Sequence, residues 1–296
     1  MTANVEQTEI MERDGVLSGL LRRPRNLAAN LRGSIHDDAT AQKLGFRGGT
    51  VAGSIHMEQF PPLMLRAFGE RWFETGSLST YFRNATTDGE PVRAFAEVPA
   101  TRAGNTQVRV WMERDDGTLV LEGTASIGSP AEPSMLRQKL AESREAGELR
   151  ILEHLAAGTK IPSMPTRLTA AEAAPRLKVI TEPLDWYADA SPWGGAIANP
   201  GLVVHAMVRL QDGMHLRPGA VGLYGAIEVR HINGPVFVEH DYEVSGSILA
   251  VGQTPKTEYF WYESIMRDPA NGNDVASMIM MLRFMKASSQ LWRSDG

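Results

Sequence analysis

"RGGTVAGS", residues 47–54, returns later in the chain as "WGGAIANP", residues 193–200, which sets Gly48, Gly49, Val51 and Ala52 over Gly194, Gly195, Ile197 and Ala198. In both copies a glycine-rich loop feeds an apolar helical pattern, near residues 53–70 in the first and 200–212 in the second. Asn199 followed by Pro200 reads as an N-cap and a first helical residue, a place where proline's missing N–H costs nothing. Pro61-Pro62 ends or bends the first helix after Phe60.

Outward from these loops the two copies keep the same order. "GVLSGLL" (15–21) opens the first and "LKVITEPLDWYA" (177–188) the second. After each helix come four strand-like runs. They are "SLSTYFRN", "VRAFAEVPA", "TQVRVWMERD" and "TLVLEGTASI" in the first copy, and "GLYGAIEVRHI", "FVEHDYEVSGSILAV", "TEYFWYESIMRD" and "VASMIMMLRFM" in the second. Asp116-Gly117 and Asn271-Gly272 mark the last hairpin of each. A helix followed by an antiparallel meander, written twice, predicts an α+β chain of two curved antiparallel sheets, each wrapped around a central helix. Each unit alone would leave an unpaired edge, which joining the two first strands into one continuous sheet removes. The predicted units are 1–128 and 176–296. The proline-edged segment 129–175 is predicted to be a helical linker, its Met135, Leu136, Leu140, Leu149, Ile151, Leu152 and Leu155 recurring at helical spacing across the outside of the core.

The 296 residues, 43% of them apolar, suffice for a large core without staples. The absence of cysteine excludes disulfides, thiolate nucleophiles and Cys-ligated metal sites. A net charge of −5 argues against nucleic acid, which needs a concentrated basic face, and "LLRRPRN" (20–26) reads as a solvated strand end. The acidic opening "MTANVEQTEIMERDG" is unlike a signal peptide, and no run approaches ~20 apolar residues, so a cytoplasmic chain with no membrane partner is expected. No His/Asp/Glu set has metal-ligand spacing, and neither a nucleophile elbow nor a dinucleotide fingerprint is present. The expectation is therefore no metal and no cofactor.

The stretch that leads into the first glycine loop, "IHDDATAQKLGFRGGTVAG" (35–53), gathers the candidate chemistry. His36 is a base, and Asp37 or Asp38 either orients it or caps the turn "ATAQKL". The amides of Ala52, Gly53 and Ser54 begin a helix whose dipole favours negative charge, and glycine there allows a substrate carbonyl to approach the backbone. Such a set suits hydration or dehydration beside a carbonyl, which needs a base, a proton route and donors for the developing enolate. His56 and Glu58 in the first helix and His205 in the second are placed to line a shared pocket, or to sit in the core as satisfied polar groups. Met57, Phe60, Tyr187 and Trp193 are its predicted apolar walls, with core packing as the plain alternative.

The arrangement resembles the MaoC-like, (R)-specific enoyl-CoA hydratase family, whose double hot dog fold is a pseudo-dimer of two such units. Ile35-His36, Asp38, Gly45-Phe46 and Gly53 match that family's opening motif. Leu31 stands where the family has its catalytic aspartate, Gly33-Ser34 where it has Asn-Pro, and Ala52 where it has its last histidine. The resemblance implies a lyase, a hydratase or dehydratase of an enoyl or hydroxyacyl substrate carried as a thioester on coenzyme A or a carrier protein. His36 would be central, with Asp37 or Asp38 beside it, the N-terminal half active and the C-terminal half forming the acyl pocket. It is compatible with a homo-oligomer. Two alternatives remain on the same scaffold: an isomerase or cyclase, or a thioesterase using Asp37, Asp38 or Glu58. A third is a non-catalytic acyl-binding or partner subunit.

Overall fold

The structure is a computed structural model that describes residues 9–101, 104–143, 146–214, 216 and 219–292; the acidic stretch 1–8 lies outside them. The first half contains β1 (Met11–Arg13), β2 (Val16–Ser18), α1 (Asp38–Lys43), α2 (Gly53–Met57), α3 (Pro61–Phe68) and α4 (Trp72–Thr75). Its meander follows as β3 (Gly76–Phe82), β4 (Val92–Glu97), β5 (Thr106–Arg114) and β6 (Leu119–Ile127). Next come α5 (Met135–Ala141), β7 (Lys160–Arg167), α6 (Ala170–Leu177) and α7 (Pro200–Val208). The second meander is β8 (Gly222–His231), β9 (Asp241–Gln253), β10 (Thr257–Arg267) and β11 (Asp274–Met285).

Among the described residues all strands join in one antiparallel sheet of 11, ordered β1-β2-β4-β5-β6-β3-β8-β11-β10-β9-β7. The two meanders meet at their first strands, as the sequence predicts: Leu78 lies opposite Val229 and Thr80 opposite Ile227, whose carbonyl also accepts the Thr80 hydroxyl at 3.0 Å. The hairpin glycines Gly117 and Gly272 take φ of 80° and 75°, the left-handed conformation these tight turns require. The sheet wraps α2, α3 and α7 in one core, where Phe60, Met64, Val203 and Met207 are fully buried. The helix near 53–70 is two helices, because Pro61-Pro62 opens α3 at a position that needs no N–H donor. On the outer face α5 seats Leu136 among Ala226, Trp261, Ile279 and Met281.

Two readings of the sequence need correction. Within 129–175 the chain is not only helical: β7 forms the edge strand beside β9, and it is β7, not "LKVITEPLDWYA", that matches β2 of the first half. Pro162 and Pro165 hide it, since proline is tolerated only at a sheet edge, and the register with β9 slips between Ile161 and Met164. Residues 177–188 instead end α6 and form a 3₁₀ turn at Asp185–Tyr187. The duplication is also offset by one residue from the glycine-on-glycine match. Thr50 bridges Thr87 as Ile197 bridges Phe237, and Ala52 caps α2 as Asn199 caps α7. What is repeated is the bridge and the cap, not the glycines, so Glu58 corresponds to His205.

Residues 150–152 of the linker are fastened to the second meander by a buried carboxylate. Glu258 accepts the amides of Arg150, Ile151 and Leu152 at 2.9, 3.0 and 2.8 Å, and the Trp292 indole N–H at 2.6 Å. Replacing it leaves several buried donors unsatisfied at once. Glu258→Ala is expected to lower the unfolding free energy by about 3 kcal/mol in denaturant titrations; a change below about 1 kcal/mol would contradict this role.

Candidate active site

Local hydrogen bonding fixes the loop that carries His36. Its backbone carbonyl accepts from Asn26 Nδ2 at 2.8 Å, its amide donates to Ser34 Oγ at 3.1 Å, and the Thr50 amide donates to the Ile35 carbonyl at 2.8 Å. Gly49 makes this close passage possible, because a Cβ there would lie 2.3 Å from the His36 carbonyl oxygen. Val51 N bonds to the Thr86 carbonyl at 2.9 Å, which ties the start of α2 to the chain leaving β3.

The imidazole of His36 is held by the backbone. Its Nδ1 lies 2.7 Å from the Thr50 carbonyl oxygen, which can only accept, so Nδ1 carries the proton. That leaves Nε2 with its lone pair and no hydrogen-bond partner among the described residues. His36 lines an apolar cleft of about 730 Å³ between the two halves, and on its other side a polar groove of about 580 Å³ walled by Arg25, Asn26, Asp38 and Thr87.

Neither aspartate touches the ring. Asp37, not Asp38, caps α1, accepting from the Ala39 amide and from Thr40 Oγ1 at 2.6 Å, and the Thr40 bond holds its carboxyl below the usual range. Asp38 accepts the Gly49 amide at 2.6 Å and braces the two loops against each other. The orienting role expected of these carboxylates is filled by the Thr50 carbonyl, a main-chain group with no side-chain signature in the sequence.

Ala52, Gly53 and Ser54 line the same cleft, and their amides have no hydrogen-bond partner among the described residues. Gly53 itself is needed for packing: a Cβ there would meet the Phe82 ring at 2.3 Å, so the aromatic ring, rather than a substrate carbonyl, occupies the space beside its Cα. His56 and His205 also line the cleft. His56 is buried, with Nε2 2.8 Å from the Thr86 hydroxyl, and burial holds it down to about 4, hence neutral. His205 is exposed on the wall, lowered by desolvation and by nearby Arg176 and Arg209.

The other expected pocket residues lie elsewhere. Met57 and Phe60 are fully buried in the core, which their size and the inward face of the helices explain. Tyr187 is 2% exposed, its hydroxyl pushed far up by burial, and Trp193 donates to Glu74 Oε1 at 2.9 Å within an aromatic cluster with Phe73 and Trp186. Glu58 sits just behind the wall, its Oε1 2.6 Å from Arg176 Nη1, and burial pushes it up to about 7 despite that arginine. Sequence reasoning missed Arg176, which α6 places on the cleft at the first position of the expected second unit. Among the described residues no His, Asp and Glu group could hold a metal ion, and no helix is long and apolar enough to cross a membrane.

Two outcomes follow from this geometry. Gly49→Ala is expected to displace the His36 loop, costing at least about tenfold in ligand affinity at the cleft, read by calorimetry, while circular dichroism stays native; unchanged affinity would contradict the close contact. His56 is neutral when folded down to about pH 4 but protonates near 6.5 when unfolded, so acidification through this window favours the unfolded chain. Glu58 acts in the opposite direction in both proteins compared, and His231, also held down by burial to about 4, adds equally to both. Wild type is therefore expected to lose on the order of 3 kcal/mol more stability than His56→Gln between pH 7 and pH 4. Parallel pH profiles would contradict it.

No family model and no curated protein matches the sequence. Among solved structures, the chain is similar to a MaoC domain protein assigned as a dehydratase from Chloroflexus aurantiacus, at 13% identity and TM-score 0.63, covering 96% of this chain and 99% of that one. It is similar also to a MaoC-like dehydratase, at 16% identity and TM-score 0.53, covering 95% and 99%. A Mycobacterium tuberculosis protein with a double hot dog fold matches at 13% identity and TM-score 0.54, covering 93% and 96%. At such identities what is shared is architecture, and the chain has the double hot dog fold of these proteins.

Proposed function

We propose that the protein is a hydro-lyase that adds water to, or removes it from, an enoyl or hydroxyacyl thioester in the cleft between its halves. The observation that carries this reading is the Nδ1–H bond from His36 to the Thr50 carbonyl, which leaves Nε2 as an acceptor on a ring that lines the cleft. In the hydration direction Nε2 takes a proton from water as the water oxygen bonds to the β-carbon. The double-bond electrons move toward the thioester oxygen, where the unpartnered amides of Ala52, Gly53 and Ser54 offset the growing charge. The imidazolium then returns its proton to the α-carbon. The polar groove that His36 also lines offers a source of water. The two MaoC-type dehydratases of the same fold support the choice of reaction class.

Leu31 favours a second reading. It is 60% exposed and lines the cleft where the resembled hydratases carry their aspartate. With that carboxylate missing, His36 alone must handle both protons, and a cleft that only binds an acyl ligand would look the same. Hydration of a crotonyl thioester separates the two. His36→Ala is expected to lower kcat by about 10²–10⁴-fold with KM little changed, and Leu31→Asp to raise the rate. A parent without turnover that still binds the thioester would replace the catalytic reading with the binding one, and a His36→Ala variant as active as the parent would remove His36 from the chemistry.

A further inference from the structure

The cleft wall is one-signed. Its described lining residues include Arg83, Arg176 and Arg283 with His36, His56 and His205, and neither Asp nor Glu, although the chain carries a net charge of −5. A mostly apolar cavity whose charged groups are all basic raises the local concentration of anions. The three arginines are not equivalent. Arg83 is 46% exposed and paired with Glu122 at 2.7 Å. Arg283 donates to the Tyr81 hydroxyl at 2.6 Å and lies over that ring.

Arg176 is enclosed, its side chain 15% exposed between the two central helices. Glu58 engages only its Nη1, at 2.6 Å, and the remaining guanidinium nitrogens have no hydrogen-bond partner among the described residues. Gly201 of α7 makes the room: a Cβ there would lie 2.2 Å from Glu58 Oε1 and 2.5 Å from Arg176 Nη1. Arg176 and Gly201 line the cleft while Glu58 stands behind them, so a ligand meets the arginine first. Because burial pushes Glu58 up to about 7, its charge only partly offsets that of Arg176 near neutral pH. A plain alkyl tail would leave those donors unpaired, whereas a carboxylate matches the planar fork of a guanidinium.

We propose that the acyl group taken by this cleft ends in a carboxylate, which docks on Arg176. This rests on the cleft being the acyl site proposed above. Along α2, the five residue steps from Gly53 to Glu58 give a rise of roughly 8 Å between the free amides and the arginine's partner, which suits a short linear chain.

The test is calorimetric binding of two saturated thioesters of N-acetylcysteamine, one glutaryl and one hexanoyl. Neither has a double bond, so binding is read apart from turnover, and failure of the hydro-lyase reading leaves this result intact. Neither carries a phosphate, so attraction of a carrier's phosphates is excluded. The glutaryl compound is expected to bind the wild type at least about tenfold tighter. Glu58→Gln, which removes the competing carboxylate, is expected to widen the preference. Glu58→Gln with Arg176→Gln, which keeps a neutral hydrogen-bonded pair, is expected to abolish it while hexanoyl affinity stays within about twofold. Should the double variant fail to fold by circular dichroism, the direction of change in the single variant decides. Equal binding by the wild type, no widening in Glu58→Gln, a preference that survives in a folded double variant, or one found only with coenzyme A thioesters would overturn the proposal.

Discussion

Ser77 to Tyr81 of β3 pair antiparallel with β8, from Arg230 down to Ala226, so the exposed edge that each meander would otherwise carry is used up by the other. That pairing brings α2 and α7 side by side on the concave face, since each central helix is fixed relative to its own first strand. The cleft lies where the two halves meet, with walls drawn from both. Its position is therefore a consequence of how the two meanders are joined, and the residues around it inherit their geometry from that junction.

Much of this was readable from residue order. The repeated loop, the Asp116-Gly117 and Asn271-Gly272 turns and the proline at the start of α7 each have a local physical cause, and local causes survive into the fold. The strand β7 was not readable because Pro162 and Pro165 suppress the usual strand signal, and only its position at the sheet edge makes them harmless. The one-residue offset between the repeats was hidden for a related reason. Conspicuous glycines drew the alignment, while Thr50 and Ile197 share only a backbone bridge.

At the site, His36 and the amides at the start of α2 are close in sequence and converge in space. The partner that fixes the imidazole is the Thr50 carbonyl, which any residue would supply equally, so composition could not reveal it. The nearby carboxylates were misleading because Asp37 and Asp38 satisfy backbone amides of the loop itself. Arg176 reaches the cleft from more than a hundred positions away along the chain, held by a capping box at the start of α6 and by Glu58 from the other half. Contacts of that range follow from the joining of the two meanders rather than from any local pattern.

The account turns on the protonation of one ring. Two-bond nitrogen–proton correlation spectra of the imidazoles in ¹⁵N-labelled protein, with His36 assigned by comparison with a His36→Ala variant, read its tautomer directly. The expected result is a neutral ring that carries its proton on Nδ1 and leaves Nε2 bare. A neutral ring protonated at Nε2 would mean that the Thr50 bond does not hold, and the lone pair on which the proposed chemistry depends would be absent from the cleft.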